Sequence, residues 1–316
     1  MSQAEFRQLF AARAHTFFFA ARFLPADRQE AVTALYAFCR VMDDLADELP
    51  VAEGAPALDA WDRWLVAVER GDLPPAAPPL PQFDRDAGKA LAEALLAVVR
   101  RHAVPVHYLR LLIDGVRSDT TRTSIRDFAE LRAYCYRVAG TVGLAMCHVL
   151  GAADAEACRR AERLGIAMQL TNVLRDVGED AQRGRVYLPA DEMARFGVLR
   201  ADLEAQRSGD AFVALMQHQV ARARVFYDAG LPGVSLLPRE CRLPILIAGH
   251  LYRAILDRIE AQGYDVFARR AATSRWQKAL TAGQASFALW QPSWLFPAAT
   301  PAATRALDQL AEVALP

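Results

Sequence analysis

Two stretches of this chain carry side chains whose types and spacing could do chemistry: Gln169 to Asp180, QLTNVLRDVGED, and Asp43-Asp44-Leu45-Ala46-Asp47. At about 100° per helical residue, Gln169, Asn172, Asp176 and Asp180 fall within an arc of roughly 80°. One wall of one helix therefore carries only amide and carboxylate oxygens. Such a wall is costly to bury unless something satisfies it, and a hard divalent cation that prefers oxygen ligands would do so. In the earlier stretch Tyr36, Arg40, Asp43 and Asp47 lie within about 60° of arc. They run directly beside an apolar stripe of Val32, Leu35, Cys39 and Met42, so these carboxylates border a buried face.

An isolated Asp-rich helix end is ordinarily just solvated. At a helix C-terminus, however, aspartate opposes the dipole, so simple stabilisation does not explain it. Two oxygen walls, each flanked by apolar periodicity, point instead to a pair that meets across a cavity. Converging carboxylates repel unless cations enter. Magnesium suits such a place because it takes oxygen ligands yet keeps waters, leaving positions for phosphate oxygens. The site would then bind a diphosphate through bridging metal, and Arg40 and Arg175 would neutralise that diphosphate as it departs.

The elements that must position these residues read as helices. Periodic apolar residues run from Phe6 to Phe23, and a second helix starts after Pro25, with Asp27 and Glu30 as a capping pair, and runs to about Asp47. A connection from Val51 to Pro56 leads into a short helix with Trp61 and Trp64, and the proline-rich Leu73 to Pro81 is a loop. Further helices are expected over Asp84–Arg101, Pro105–Val116, from near Ile125 to Gly151, and over about Asp154–Asp180. The same pattern resumes at Asp191–Arg195, Asp210–Ala229, Leu243–Gln262 and Thr273–Leu289. Ala139 and Gly143 share a face that a neighbouring helix or ligand could approach closely. No alternating strand pattern of persuasive length occurs, so the expected class is an all-α bundle in a single domain, residues 1–316, with a tail from about residue 290.

Bulk properties narrow the function. The chain has 316 residues, 53% of them hydrophobic, with 37 basic against 37 acidic. Without a basic excess, nucleic acid is not an expected partner. Five cysteines with no CxxC pair suggest reduced thiols in a cytoplasmic protein. No apolar run reaches the ~18 residues of a membrane span; Trp290 to Pro297, WQPSWLFP, is expected to cap the bundle's core, with contact to a membrane surface as the alternative.

The sequence resembles the squalene and phytoene synthases, the head-to-head trans-isoprenyl diphosphate synthases, and is most similar to bacterial phytoene synthases. The resemblance is carried by HTFFFAARFLP, ALYAFCRVMDDLAD, YCYRVAGTVG, LGIAMQLTNVLRDVGEDAQRGRVYLP and, more weakly, LYRAILDRIEAQGYDVFARRA. It implies an isoprenoid-synthase bundle around a central apolar cavity. Asp43, Asp44, Asp47, Asn172, Asp176 and Asp180 would hold Mg2+, with Mn2+ as a substitute, against two prenyl diphosphates. Arg40, Gln169, Arg175, Tyr187, Tyr252 and Arg269 would surround the diphosphates. Tyr36 and Tyr134 would lie beside the reacting carbons, and Val138, Ala139 and Gly143 would line the channel for the chains. The first Phe, Phe17, follows Ala14-His15-Thr16 where the family often has a serine-rich step; Thr16 still offers a hydroxyl to phosphate.

The implied reaction joins two geranylgeranyl diphosphates through a cyclopropylcarbinyl diphosphate to phytoene, for carotenoid biosynthesis. The alternative joins two farnesyl diphosphates to squalene, dehydrosqualene or presqualene diphosphate, with NADPH needed only for squalene. A noncatalytic prenyl-lipid-binding subunit is the rival from another class, and the full set of acidic and amide ligands argues against it.

Overall fold

A computed structural model describes residues 19–72, 76–81, 83, 86–121 and 123–268. Among these residues are eleven α-helices. The two acidic stretches lie on α1 (Ala26–Asp47) and α7 (Ala155–Gln182). Around them run α2 (Val51–Arg70), α3 (Ala87–His102), α4 (Val106–Asp119), α5 (Phe128–Cys135) and α6 (Thr141–Leu150). After α7 come α8 (Ala190–Phe196), α9 (Arg200–Glu204), α10 (Asp210–Gly230) and α11 (Arg239–Ala261), with a 3₁₀ turn at Leu231–Leu236. The all-α expectation is met. A parallel pair, β1 (Ser124–Ile125) and β2 (Val186–Pro189), is the only strand structure among the described residues. At two and four residues these strands are too short to show an alternating pattern.

The 28-residue α7 is the axis of the bundle and packs against α5, α6, α10 and α11. Its start obeys local chemistry: the Asp154 carboxylate caps it, accepting from the Glu156 and Ala157 amides at 3.0 Å each. Against α6 the backbones touch. A Cβ on Gly143 would sit 2.5 Å from the Ala161 carbonyl oxygen, and one on Gly165 would sit 2.4 Å from that of Ala139. Ala139 belongs to a π turn, Tyr136–Gly140, between α5 and α6. The helix expected to run unbroken from Ile125 to Gly151 is therefore a strand, a helix, a wide turn and a second helix. The break coincides with the place where α7 presses on the backbone.

Other boundaries differ for identifiable reasons. Pro25 stands at the N-cap of α1 with no side-chain cap, so Asp27 and Glu30 form no capping box; Asp27 pairs with Arg28 and Arg101, at 3.6 and 3.5 Å. The expected Val51–Pro56 connection is instead the first part of α2. Pro50 initiates that helix, and Pro56 is tolerated inside it near its N-terminus. Likewise α11 starts at Arg239 and carries Pro244 within it. The five cysteines are free, and no helix of the described residues is long and apolar enough to cross a membrane. The Thr273–Leu289 helix and the Trp290–Pro297 segment fall outside the described residues.

The last turn of α1, which carries the carboxylates, is backed by α2 at Gly54. A Cβ there would lie 2.1 Å from the Leu45 carbonyl oxygen, and Phe38, Trp61 and Trp64 pack edge to face beneath, with ring centroids 5.8 and 5.7 Å apart. Gly54→Ala should gain about 1 kcal/mol in helix propensity and lose about 1–3 kcal/mol to overpacking against unyielding backbone. A net fall in the urea midpoint is expected; an unchanged or raised midpoint would refute this packing.

Candidate active site

The C-terminal halves of α1 and α7 flank one end of a cavity of about 810 Å³. Asp43 and Asp47 line it from α1, and Asn172, Asp176 and Asp180 line it from α7. The two oxygen walls thus line one cavity. Tyr36, Arg40, Gln169, Arg175 and Tyr252 also face this space, and Val138, Ala139 and Gly143 line it further in. The inner walls are apolar, with Val142, Met146, Leu150, Ala157, Leu237 and Ile245 among them. Along α7 the cavity extends from Asp180 to Ala157, ~34 Å at the rise of an α-helix.

Three expected residues are placed elsewhere. Asp44 is 2% exposed and turned off the cavity, in an ion pair with Arg40. Tyr134 and Tyr187 stack with ring centroids 5.0 Å apart, and their hydroxyls donate to the two oxygens of Asp119 at 2.9 Å each. Neither ring lines the cavity. Thr16, Phe17 and Arg269, with His15, lie outside the described residues.

The structure adds residues that the sequence reading passed over. Arg185 donates to Asp47 at 2.5 Å, and Arg183 stands 3.9 Å from the same carboxylate. Both come from the loop that follows α7 directly; two arginines immediately after RDVGED were a legible signal. Asp119, by contrast, ends α4 in a polar run without periodicity, and nothing local marks it. Glu48 and Glu179 complete the acidic rim.

Charge is crowded at this mouth. Arg175 grips Asp176 in a bidentate pair, at 2.8 and 2.5 Å. Burial pushes the Asp43 carboxyl up to about 8, against the pull of Arg40 and with the repulsion of Asp47, Asp119 and Asp44. Asp180 is pushed up to about 7 by burial and by Asp176, with Asp47 of the opposite helix contributing. Asp119 rises to about 6, again by burial, although its two tyrosine hydrogen bonds pull it down. The Asn172 amide donates to Gln169 at 3.2 Å, while its own oxygen is buried without a partner. An orphaned oxygen in an oxygen wall suits a hard cation. Among the described residues no three His, Cys, Asp or Glu side chains form a ready-made cage.

The family model described as squalene/phytoene synthase matches residues 10–277, and the chain belongs to that family. It is thereby a prenyltransferase-type enzyme of a divalent-metal-dependent family. It is 38% identical over 287 residues to a phytoene synthase of Arthrospira platensis, covering 86% of this chain and 88% of the relative. It is 40% identical over 275 residues to the chloroplastic phytoene synthase 2 of Solanum lycopersicum, covering 85% and 84%. Among solved structures, a dehydrosqualene synthase in complex with ligand superposes with a TM-score of 0.81 at 29% identity, over 91% of this chain and 96% of that one. The squalene synthase HpnC of Alicyclobacillus acidocaldarius gives 0.72 at 27%, over 83% and 94%.

The raised carboxyls have a measurable consequence. A folded pKa above the unfolded value of about 4 means that the native state holds its proton longer. That stability is whole below pH ~4 and is lost as pH rises through the folded values, about 8 for Asp43 and about 7 for Asp180. In EDTA the thermal midpoint should therefore fall between about pH 5 and pH 8, and D43N should flatten the fall. A midpoint that rises with pH over this range would contradict the crowding described.

Proposed function

We propose that this chain joins two geranylgeranyl diphosphates head to head to give phytoene. The observation that carries the reading is one cavity with oxygen-bearing walls from two helices at its mouth and a long apolar interior behind them. Its ~34 Å run along α7 exceeds the length of an extended C20 chain. The relatives bearing the name phytoene synthase support the same product.

In this reading Asp43, Asp47, Asn172, Asp176 and Asp180 hold the cations. Magnesium, when bound, withdraws charge from the departing diphosphate and lets the allylic C–O bond ionise. Arg40, Arg175 and Arg183 line the mouth, Arg185 stands beside it on Asp47, and together they supply charge-assisted donors to phosphate oxygens. Arg183 and Arg185 then exchange Asp47 for substrate. Gln169 and Tyr252 offer further polar contacts at the boundary between headgroup and chain. Tyr36 keeps its proton, because burial and the neighbouring Tyr252 push its hydroxyl up, so it faces the cation as a neutral dipole. Cys39 likewise stays a neutral thiol through burial and is no metal ligand. Val138, Ala139, Val142 and Gly143 exclude the water that would quench the allylic and cyclopropylcarbinyl cations. Thr16, Phe17 and Arg269 complete the substrate site by family resemblance, and Tyr134 acts from behind the wall with Tyr187. We read residues 1–316 as one isoprenoid-synthase domain, and we propose a peripheral association of the protein with the membrane that receives the hydrocarbon.

A second reading, two farnesyl diphosphates to dehydrosqualene or squalene, draws on the solved structures that carry those names. Purified protein with Mg2+ and either diphosphate, with and without NADPH, separates the two. Geranylgeranyl diphosphate should give a C40 product without NADPH; a C30 product alone would reject the leading reading. Asp176→Asn should lower kcat/KM by at least ~100-fold, on the scale of losing a group that stabilises the transition state. EDTA should abolish turnover. An unchanged D176N would sink the role given to α7.

A further inference from the structure

The sequence groups Asp43, Asp44 and Asp47 as one acidic motif, but the fold separates them. Asp43 and Asp47 line the cavity and Asp44 does not. Residues 40 and 44 are one helical turn apart on α1, and the Arg40 guanidinium donates to the Asp44 carboxylate. The Asp44 side chain is 3% exposed and that of Arg40 is 24% exposed. One partner is therefore inside the protein while the other reaches the mouth. Glu48, at 3.7 Å from the same guanidinium, is 45% exposed and holds it weakly. The Arg40 Nε is buried and has no hydrogen-bond partner, so the head group keeps a donor unspent. A long arginine placed among carboxylates has several to choose from. A buried carboxylate on its own helix selects one position and costs the side chain little further entropy on binding an anion.

We propose that Asp44 is a positioning residue: it fixes the Arg40 guanidinium at the mouth for the diphosphate and takes no part in holding metal. This rests on the diphosphate reading given above and deepens it. Two functions follow for one acidic run, Asp43 and Asp47 toward the cation and Asp44 toward the arginine that meets the anion.

The test separates cation binding from anion binding without turnover. Mg2+ alone is titrated against the thermal midpoint, and inorganic pyrophosphate with saturating Mg2+ is titrated by calorimetry, for wild type, D43N, D44N, D44E, R40Q and R40Q/D44N. D44N should keep its half-saturating Mg2+ concentration within about twofold and bind pyrophosphate roughly 10-fold more weakly, the scale of one charge-assisted contact. R40Q should lose the same factor, and the double variant should lose no more, because the two residues act through one contact. D44E keeps the charge and should recover pyrophosphate binding to within about threefold. D43N should lose the Mg2+ response. A D44N or D44E protein that loses the Mg2+ response as D43N does would overturn the proposal, as would additive losses in R40Q/D44N. If D44N does not fold, D44E still decides through its Mg2+ response. A wild-type protein that binds neither Mg2+ nor pyrophosphate would instead sink the diphosphate reading itself.

Discussion

Everything in this fold answers to one electrostatic problem: several carboxylates held together at the end of an apolar cavity, where water cannot disperse their charge. The protein meets it with arginines. Arg175 lies across Asp176, Arg185 across Asp47, and Arg40 across Asp44. Each of those pairs is a partial answer, since Asp43 and Asp180 still hold their protons to about pH 8 and pH 7. A cation entering such a site would displace those protons and complete the charge balance that the arginines leave unfinished. A diphosphate released there, as proposed, would leave next to guanidinium groups already within reach.

The scaffold follows from that demand. Carboxylates facing each other need stiff supports, and α7 is the longest helix among the described residues, capped at its start and pressed by its neighbours along its length. The last turn of α1 is braced by the backbone of α2 through a residue without a side chain. Small residues at the α6–α7 crossing bring backbone against backbone, so the cavity wall there has little freedom to yield. Precision at the mouth is thus paid for in packing far from it.

What the sequence disclosed, and what it hid, divides along the range of the interactions. The oxygen walls were legible because both belong to single helices, and 3.6-residue periodicity puts their members on one side. The all-α class and most helix spans were legible for the same reason. Asp44 follows the cavity residue Asp43 in sequence, but 100° of helical rotation sends it inward, where it pairs with Arg40. Tyr134 and Tyr187 stack on each other and share Asp119, which lies 15 and 68 residues away from them along the chain. No local pattern announces such a triad. Arg185 stood beside the motif in plain view, yet its partner Asp47 is 138 residues distant. The parallel strand pair was invisible because two residues cannot show alternation.

The wide turn at Tyr136–Gly140 carries a further meaning. One surplus residue in a helical stretch advances every later side chain by about 100° around the axis. Val138 and Ala139 within that turn, and Val142 and Gly143 just after it, face the same interior. Removing a single residue here would leave composition and helix content nearly untouched while turning half of that interior wall outward. The register of α5 and α6 is therefore fixed by chain length as firmly as by residue type, and insertions or deletions are less tolerable there than most substitutions.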